Sequence, residues 1–183
     1  MSEKYINTPV TEKDMESLET GDMVYISGTI YTARDAAHKR LYEAIQSHQE
    51  IPIDLKDNII YYLGPSPARE GQVIGSAGPT TSSRMDKYTP LMLEHGLKGM
   101  IGKGKRSEQV IASMVKNKAV YFAAIGGAGA LLSKCIKKAE VIAYEDLGTE
   151  AIRKLEVEKL PAIVVIDSKG NNLYETATEQ YRR

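Results

Sequence analysis

The stretch GSAGPTTSSRMDKY, residues 75 to 88, sets two glycines and four consecutive hydroxyl side chains before an arginine. It is too polar for a core and too rich in glycine for a plain helix. If the chain after Pro79 enters a helical turn, Thr80 and Arg84 stand four apart and project from one face. Ser83 with Asp86 three residues later has the form of a capping box. That would place a helix N-terminus here, where free N–H groups and the macrodipole attract an anion. A competing reading is a glycine turn before a capped helix, with Arg84 paired to a surface carboxylate. This stretch alone leaves both open.

A second stretch shifts the balance. SGTIYTARDAAH, residues 27 to 38, again brings a glycine and hydroxyls to the end of a predicted strand, followed by Arg34 at or near a helix start. A cation there opposes the macrodipole at a cost of a few tenths of a kcal/mol, which Asp35 could offset, so the arginine suggests another task. IGKGKRS, residues 101 to 107, sets Lys103 between two glycines in a third strand-end loop. Ligand sites in α/β proteins favour loops at the carboxyl ends of strands, and two arginines with a lysine there suit a small dicarboxylate.

Other candidates carry less. GGAGALL (126–132) could cradle a phosphate, but it is neither GxGxxG nor a Walker A sequence, and close strand-to-helix packing is the simpler reading. GKGKRS also lacks the phosphate-loop spacing. His38, four after Arg34, could join the site or cap its own helix. Cys135 reads as core.

The elements that must position these residues alternate. Thr11 caps a short helix over 12–18, MVYIS (23–27) is a strand and 34–46 an amphipathic helix. NIIYYLG (58–64) is a strand, GPSPAREG a turn-rich connection, and QVIG (72–75) a short strand. Thr89 and Pro90 open a helix that ends before Gly96. GMIGKG (99–104) is a strand and turn, 107–117 a helix, and AVYFAAIGG (119–127) the most apolar strand. The pattern then predicts a helix over 128–138, a strand over 140–146 and a helix over 149–157. Residues 161–174 read as a strand, a turn at Lys169-Gly170 and a final strand. Such alternation means an α/β fold in a single domain.

The 183 residues carry 24 basic and 24 acidic side chains, so no overall field attracts nucleic acid or an anionic membrane. No apolar run approaches the roughly 20 residues of a bilayer span, and MSEKYINTPVTEKD lacks the apolar core of a signal peptide. The expectation is a cytoplasmic chain. One cysteine excludes an intrachain disulfide, and a cluster or Cys-rich zinc site built by this chain alone. The three histidines show no paired metal-ligand spacing, so the expected metal ligands are none.

GDMVYISGTIYTARDAAHKRL, GPSPAREGQVIGSAGPTTSSRMDKYTP, GLKGMIGKG, YFAAIGGAGALL and EDLGTEAI together resemble the β subunit, or C-terminal domain, of class I iron-sulfur fumarate hydratases and the related L-tartrate dehydratases. The likeness runs from about Gly21 to Tyr174. It implies a polar segment over 1–20, a fumarase β-type catalytic domain over 21–174 and a tail over 175–183, the domain being a swivelling β/β/α fold. It further implies a [4Fe-4S] cluster held by three cysteines of a partner α subunit, a cytoplasmic α2β2 assembly, and inactivity of this chain alone. In that family a hydroxyacid chelates the iron lacking a cysteine ligand, and water is added to or removed from a carbon–carbon double bond. By resemblance Arg34 and Arg84 hold substrate carboxylates, Lys103 adds a third cationic contact and Thr80 is the base. An aspartate from the partner would assist it. The motifs do not separate fumarate from tartrate as substrate. A nucleotide-binding module using GGAG or GKGK is a different class of reading, tested by ATP or NAD binding to the isolated chain. A structural partner with a degenerate site fits poorly, because all four site residues are present.

Overall fold

Hydrophobic alternation along the central strands sends neighbouring side chains into two different cores. In the computed structural model, which describes residues 3–125 and 132–181, Ile59 and Tyr61 belong to one buried cluster and Ile60 and Tyr62 to another. Ile101 and Met100 divide likewise, as do Phe122 and Tyr121. A strand that reads as continuously apolar is thus buried on both faces.

The described strands are β1 (Glu3–Asn7), β2 (Met23–Thr32), β3 (Ile59–Tyr61), β4 (Gly99–Gly102), β5 (Val120–Ala124), β6 (Ile136–Ala143) and β7 (Ile152–Ile166). β1 to β5 pair side by side in parallel. β7 runs antiparallel to β5, β6 and the whole of β2. The pairings β2–β3, β3–β4, β4–β5, β5–β7 and β7–β2 therefore close a circuit, around an interior that includes Ile30, Ile59, Phe122, Leu155 and Val164. Helices α2 (Asp35–Gln46), α3 (Thr89–Glu94) and α4 (Glu108–Asn117) cover the outer face of the parallel strands through Ala37, Leu41, Met92, Leu93, Val110 and Met114. The result is a single mixed α/β domain with strand, strand and helix layers.

Several local expectations hold. Thr11 caps α1 (Glu12–Glu16) through a reciprocal capping box with Asp14. Ser107 caps α4 by accepting from Val110 N. Pro90 stands in the first turn of α3, where its missing N–H costs nothing, although the helix begins at Thr89 and the cap position is Tyr88.

Others are corrected. Residues 152–157 are strand, not helix: both edges of this segment are taken up, by β2 and by β6, which outweighs the helical propensity of TEAIRKLEV. β7 does not start at Pro161 but passes through it. Glu158 and Lys159 bulge opposite Ser27, with Lys159 at φ +50 and Gly28 at φ +109. The helix expected over 128–138 is replaced from Ile136 by β6, for which β7 supplies the partner; residues 126–131 lie outside the described residues, and the GGAG motif with them. QVIG forms no strand, because this segment folds back on Ser66, whose hydroxyl accepts from Ser76 N at 2.8 Å. The final strand is instead α5 (Leu173–Tyr181), opened by Asn172, whose side chain accepts from Tyr174 N. Residues 3–7 form β1, paired to β2. No helix among the described residues is long and apolar enough to cross a membrane.

Candidate active site

Because β2, β3 and β4 are parallel neighbours, their carboxyl ends open at one end of the sheet, and the loops that leave them carry the predicted residues. Arg34 follows β2, Gly64 follows β3 and Lys103 follows β4. The 64–80 connection returns its polar stretch to the same place: Thr80 N donates to Tyr62 O at 2.7 Å, Thr81 bridges to Lys103, and Ser82 N donates to Lys103 O at 2.8 Å. The backbone of TTS thus lies between the ends of β3 and β4. That placement, not a helical face, sets Thr80 next to the residue that bridges to Lys103.

Arg34 is the N-cap residue of α2, in extended backbone with no side-chain cap. Its guanidinium lies across Gly64, where an added Cβ would fall 2.7 Å from Nη1 and 2.8 Å from Cδ, so only glycine lets the arginine adopt this path. Arg34 Nε is buried without a partner, as is Asp35 Oδ1. Arg84 and Lys103 are exposed and Thr80 is half-buried. Among the described residues, no ion pair involves Arg34, Arg84 or Lys103. Three cations on adjoining loops therefore lack carboxylate partners.

The capping box predicted at Ser83 and Asp86 does not form. Ser82–Met85 is a 3₁₀ turn with no side-chain cap, and Asp86 turns instead to Arg106 and to Ser107 N. Thr80 precedes this turn, so it and Arg84 do not share a helical face.

The sequence matches the family described as Fumarase C-terminus over residues 2–177. The chain belongs to the Fumarase C-terminus family. It is 40% identical over 174 residues to the Escherichia coli (strain K12) anaerobic class I fumarate hydratase, covering 93% of this chain and 32% of that protein. It is likewise 40% identical over 164 residues to fumarate hydratase 2 of Leishmania major, with 88% and 29% covered. The chain thus spans about a third of the length of these fumarate hydratases. A relative of matching length is the putative L(+)-tartrate dehydratase subunit beta of Methanocaldococcus jannaschii, 36% identical over 183 residues, with 97% of this chain and 94% of that one aligned.

In this family member the loops are held by a buried polar network that sequence reasoning passed over. Arg106 Nε donates to Asp86 Oδ1 at 2.7 Å, and Nη2 donates to Thr89 Oγ1 at 2.9 Å and Tyr62 Oη at 3.1 Å. Its guanidinium carbon lies 5.3 Å from the centre of the Tyr62 ring and 4.9 Å from that of Tyr121. Burial pulls its pKa down, and Tyr62, Asp86 and Tyr121 more than offset this, so the group stays cationic. Tyr121 Oη donates to Gly104 O at 2.8 Å and accepts from Ser82 Oγ at 2.7 Å. Arg106 stands inside GKGKRS, one residue before the α4 cap Ser107, and its enclosure follows only from the distant partners Asp86, Tyr62 and Thr89.

His38 resolves as a buried neutral ring. Its Nδ1–H donates to Arg34 O at 2.9 Å, its edge meets Tyr62 at a centroid distance of 5.4 Å, and Nε2 has no partner. Burial, reinforced by the charge of Arg106 and opposed by the Arg34 carbonyl, brings its pKa down to about 4. Cys135 packs against the inner core, and burial raises its thiol pKa.

Proposed function

We propose that this chain is the β subunit of a class I hydro-lyase that interconverts fumarate and (S)-malate. The observation that carries this reading is the set of three cations, Arg34, Arg84 and Lys103, that form no ion pair among the described residues and stand on segments at the carboxyl ends of adjacent parallel strands, where the Thr80 backbone also meets the end of β3. (S)-Malate carries two carboxylates to be held and a methylene group beside one of them, from which dehydration removes a proton.

In this reading Arg34 and Arg84 bind the carboxylates through two donors each, and Lys103 adds a point charge. Thr80 takes the proton from the carbon next to one carboxylate. The C–O bond on the neighbouring carbon breaks as the double bond forms, so that the departing hydroxide and the abstracted proton together make up the water released. A threonine hydroxyl is a poor base in water, so it depends on neighbouring cations and on exclusion of water to favour its alkoxide. As the C–H bond breaks, negative charge grows on the adjacent carboxylate, and a guanidinium already in place stabilises it without reorganisation. In the hydration direction Thr80 returns the proton to carbon.

The donors of this chain do not fit an iron-sulfur cluster that needs three thiolates. Its one cysteine is Cys135, and among the described residues no group of three His, Cys, Asp or Glu could hold a metal. The cluster is assigned to a partner α subunit, in an α2β2 assembly, and no step above runs through it.

Thr80→Ala in the reconstituted complex tests the assignment. Turnover of (S)-malate should fall by about 10²-fold or more, the equivalent of roughly 3 kcal/mol, with assembly and iron content unchanged. Retained turnover would reject Thr80 as base. L-tartrate dehydration is a second reading, supported by the 36% identity to the putative L(+)-tartrate dehydratase subunit beta. Anaerobic assays of the complex with (S)-malate and with L-tartrate decide between them.

A further inference from the structure

The Arg106 side chain is 0% exposed and takes no part in the chemistry proposed above. Enclosing a guanidinium costs several kcal/mol unless its donors are satisfied, and apolar residues of similar volume often stabilise a fold as well or better. What the ion pair adds is geometry. One guanidinium joins the turn that carries Arg84, through Asp86, to the end of β3 through Tyr62 and to the start of α3 through Thr89. Asp86 spends its second oxygen on Ser107 N at 2.9 Å, which ties the same turn to the loop that carries Lys103. Tyr62, held by its hydroxyl, is the residue whose carbonyl accepts from Thr80 N. Ser82 and Gly104 meet separately on Tyr121. The two exposed cations and the threonine therefore stand on loops whose relative position is set from below by one buried charge.

We propose that Arg106 is a positioning residue for the site, fixing the 80–86 segment against the 103–107 loop so that Arg84 and Lys103 reach one dicarboxylate together. This rests on the dicarboxylate reading given above. Lysine cannot replace it, since a single ammonium lacks the planar fork that reaches Asp86, Tyr62 and Thr89 at once.

The test uses the assembled complex with its partner subunit, with kinetics normalised to folded complex by thermal melting. Arg106→Gln should raise the KM for (S)-malate at least tenfold, and Arg106→Lys should recover melting temperature more than it recovers KM. In an Arg84→Ala background the Arg106→Gln change should add less than threefold, because the contact it positions is already gone. A purely structural role predicts full multiplication in the double variant. That result, or an unaltered KM in Arg106→Gln, overturns the inference while leaving the functional reading intact. Should Arg106→Gln fail to assemble, Asp86→Asn, which removes the paired charge with little change of shape, takes its place, with the same expected rise in KM and the same overturning result. A wild-type complex inert toward both (S)-malate and L-tartrate overturns the functional reading and this inference with it.

Discussion

The inner and outer faces of the same three strands differ in what they bury. Inside the closed circuit of strands, Ile59, Ile101, Val120 and Phe122 meet Leu155, Leu160 and Val164, and the one hydroxyl contributed by β3 to β5, that of Tyr61, donates to Ala77 O. On the outer face, under the helices, Tyr62, Met100 and Tyr121 surround Arg106, and His38 lies against Tyr62. Apolar contact is non-directional and serves stability; hydrogen bonds with fixed geometry serve to hold loops in place. The outer face underlies the candidate site, so stability and position are divided between the two sides of a single sheet.

The sharpest attempt to break this division is Phe122→Ala in the inner layer. It should cost about 3–5 kcal/mol of stability. The complex that remains folded should keep its KM for (S)-malate, as urea melts and steady-state kinetics on one preparation would show; a KM shift as large as the stability loss would mean that the two faces are not separable.

On the outer face, His38 gives a pH signature. Its folded pKa of about 4 lies below the ordinary histidine value of 6.5, so between these values the unfolded chain binds a proton that the folded chain does not. Stability from this group is complete above pH 6.5 and is lost as pH falls toward 4, by on the order of 3 kcal/mol. His38→Gln should flatten the pH dependence of the urea midpoint across that window by a comparable amount. An identical slope in the variant would mean that His38 is not the group responsible.

Gly102→Ala probes the junction between strand end and site. The added Cβ would overlap Ser82 Oγ and come 2.7 Å from Tyr62 Cδ2, so Ser82 must leave Tyr121. We expect a loss of about 1–3 kcal/mol together with a raised KM, measured as for Phe122→Ala. Thr11→Ala, remote from both faces, should cost about 1 kcal/mol in the same melts through loss of the α1 cap and leave KM unchanged.

The placement of Arg34 and Lys103 was legible because its signals are local: each follows a predicted strand, and the chain does run that way at 27–38 and 99–104. Thr80 and Arg84 were expected after a strand at 72–75 that does not form; the 64–80 connection returns Thr80 to the end of β3 instead. The illegible parts depend on partners distant in sequence. TEAIRKLEV becomes strand because β2 and β6 flank it, over a hundred residues away in the case of Thr32 and Arg153. Asp86 was read as a cap for Ser83 because its actual partner is twenty positions further on. Arg106 was passed over inside GKGKRS since nothing near it in sequence reveals that its side chain is enclosed.

Charge balance, the single cysteine, the helices α1 to α4 and the residue types proposed for the site were determined by the sequence itself, because each depends on residue type or on neighbours within a few positions. Tertiary structure alone decided that β7 closes the circuit and that Gly64 leaves room for the Arg34 guanidinium. It alone decided, too, that Arg106 binds two loops together. These rest on strand pairing and burial between distant segments, whose energies exist only once the chain has folded.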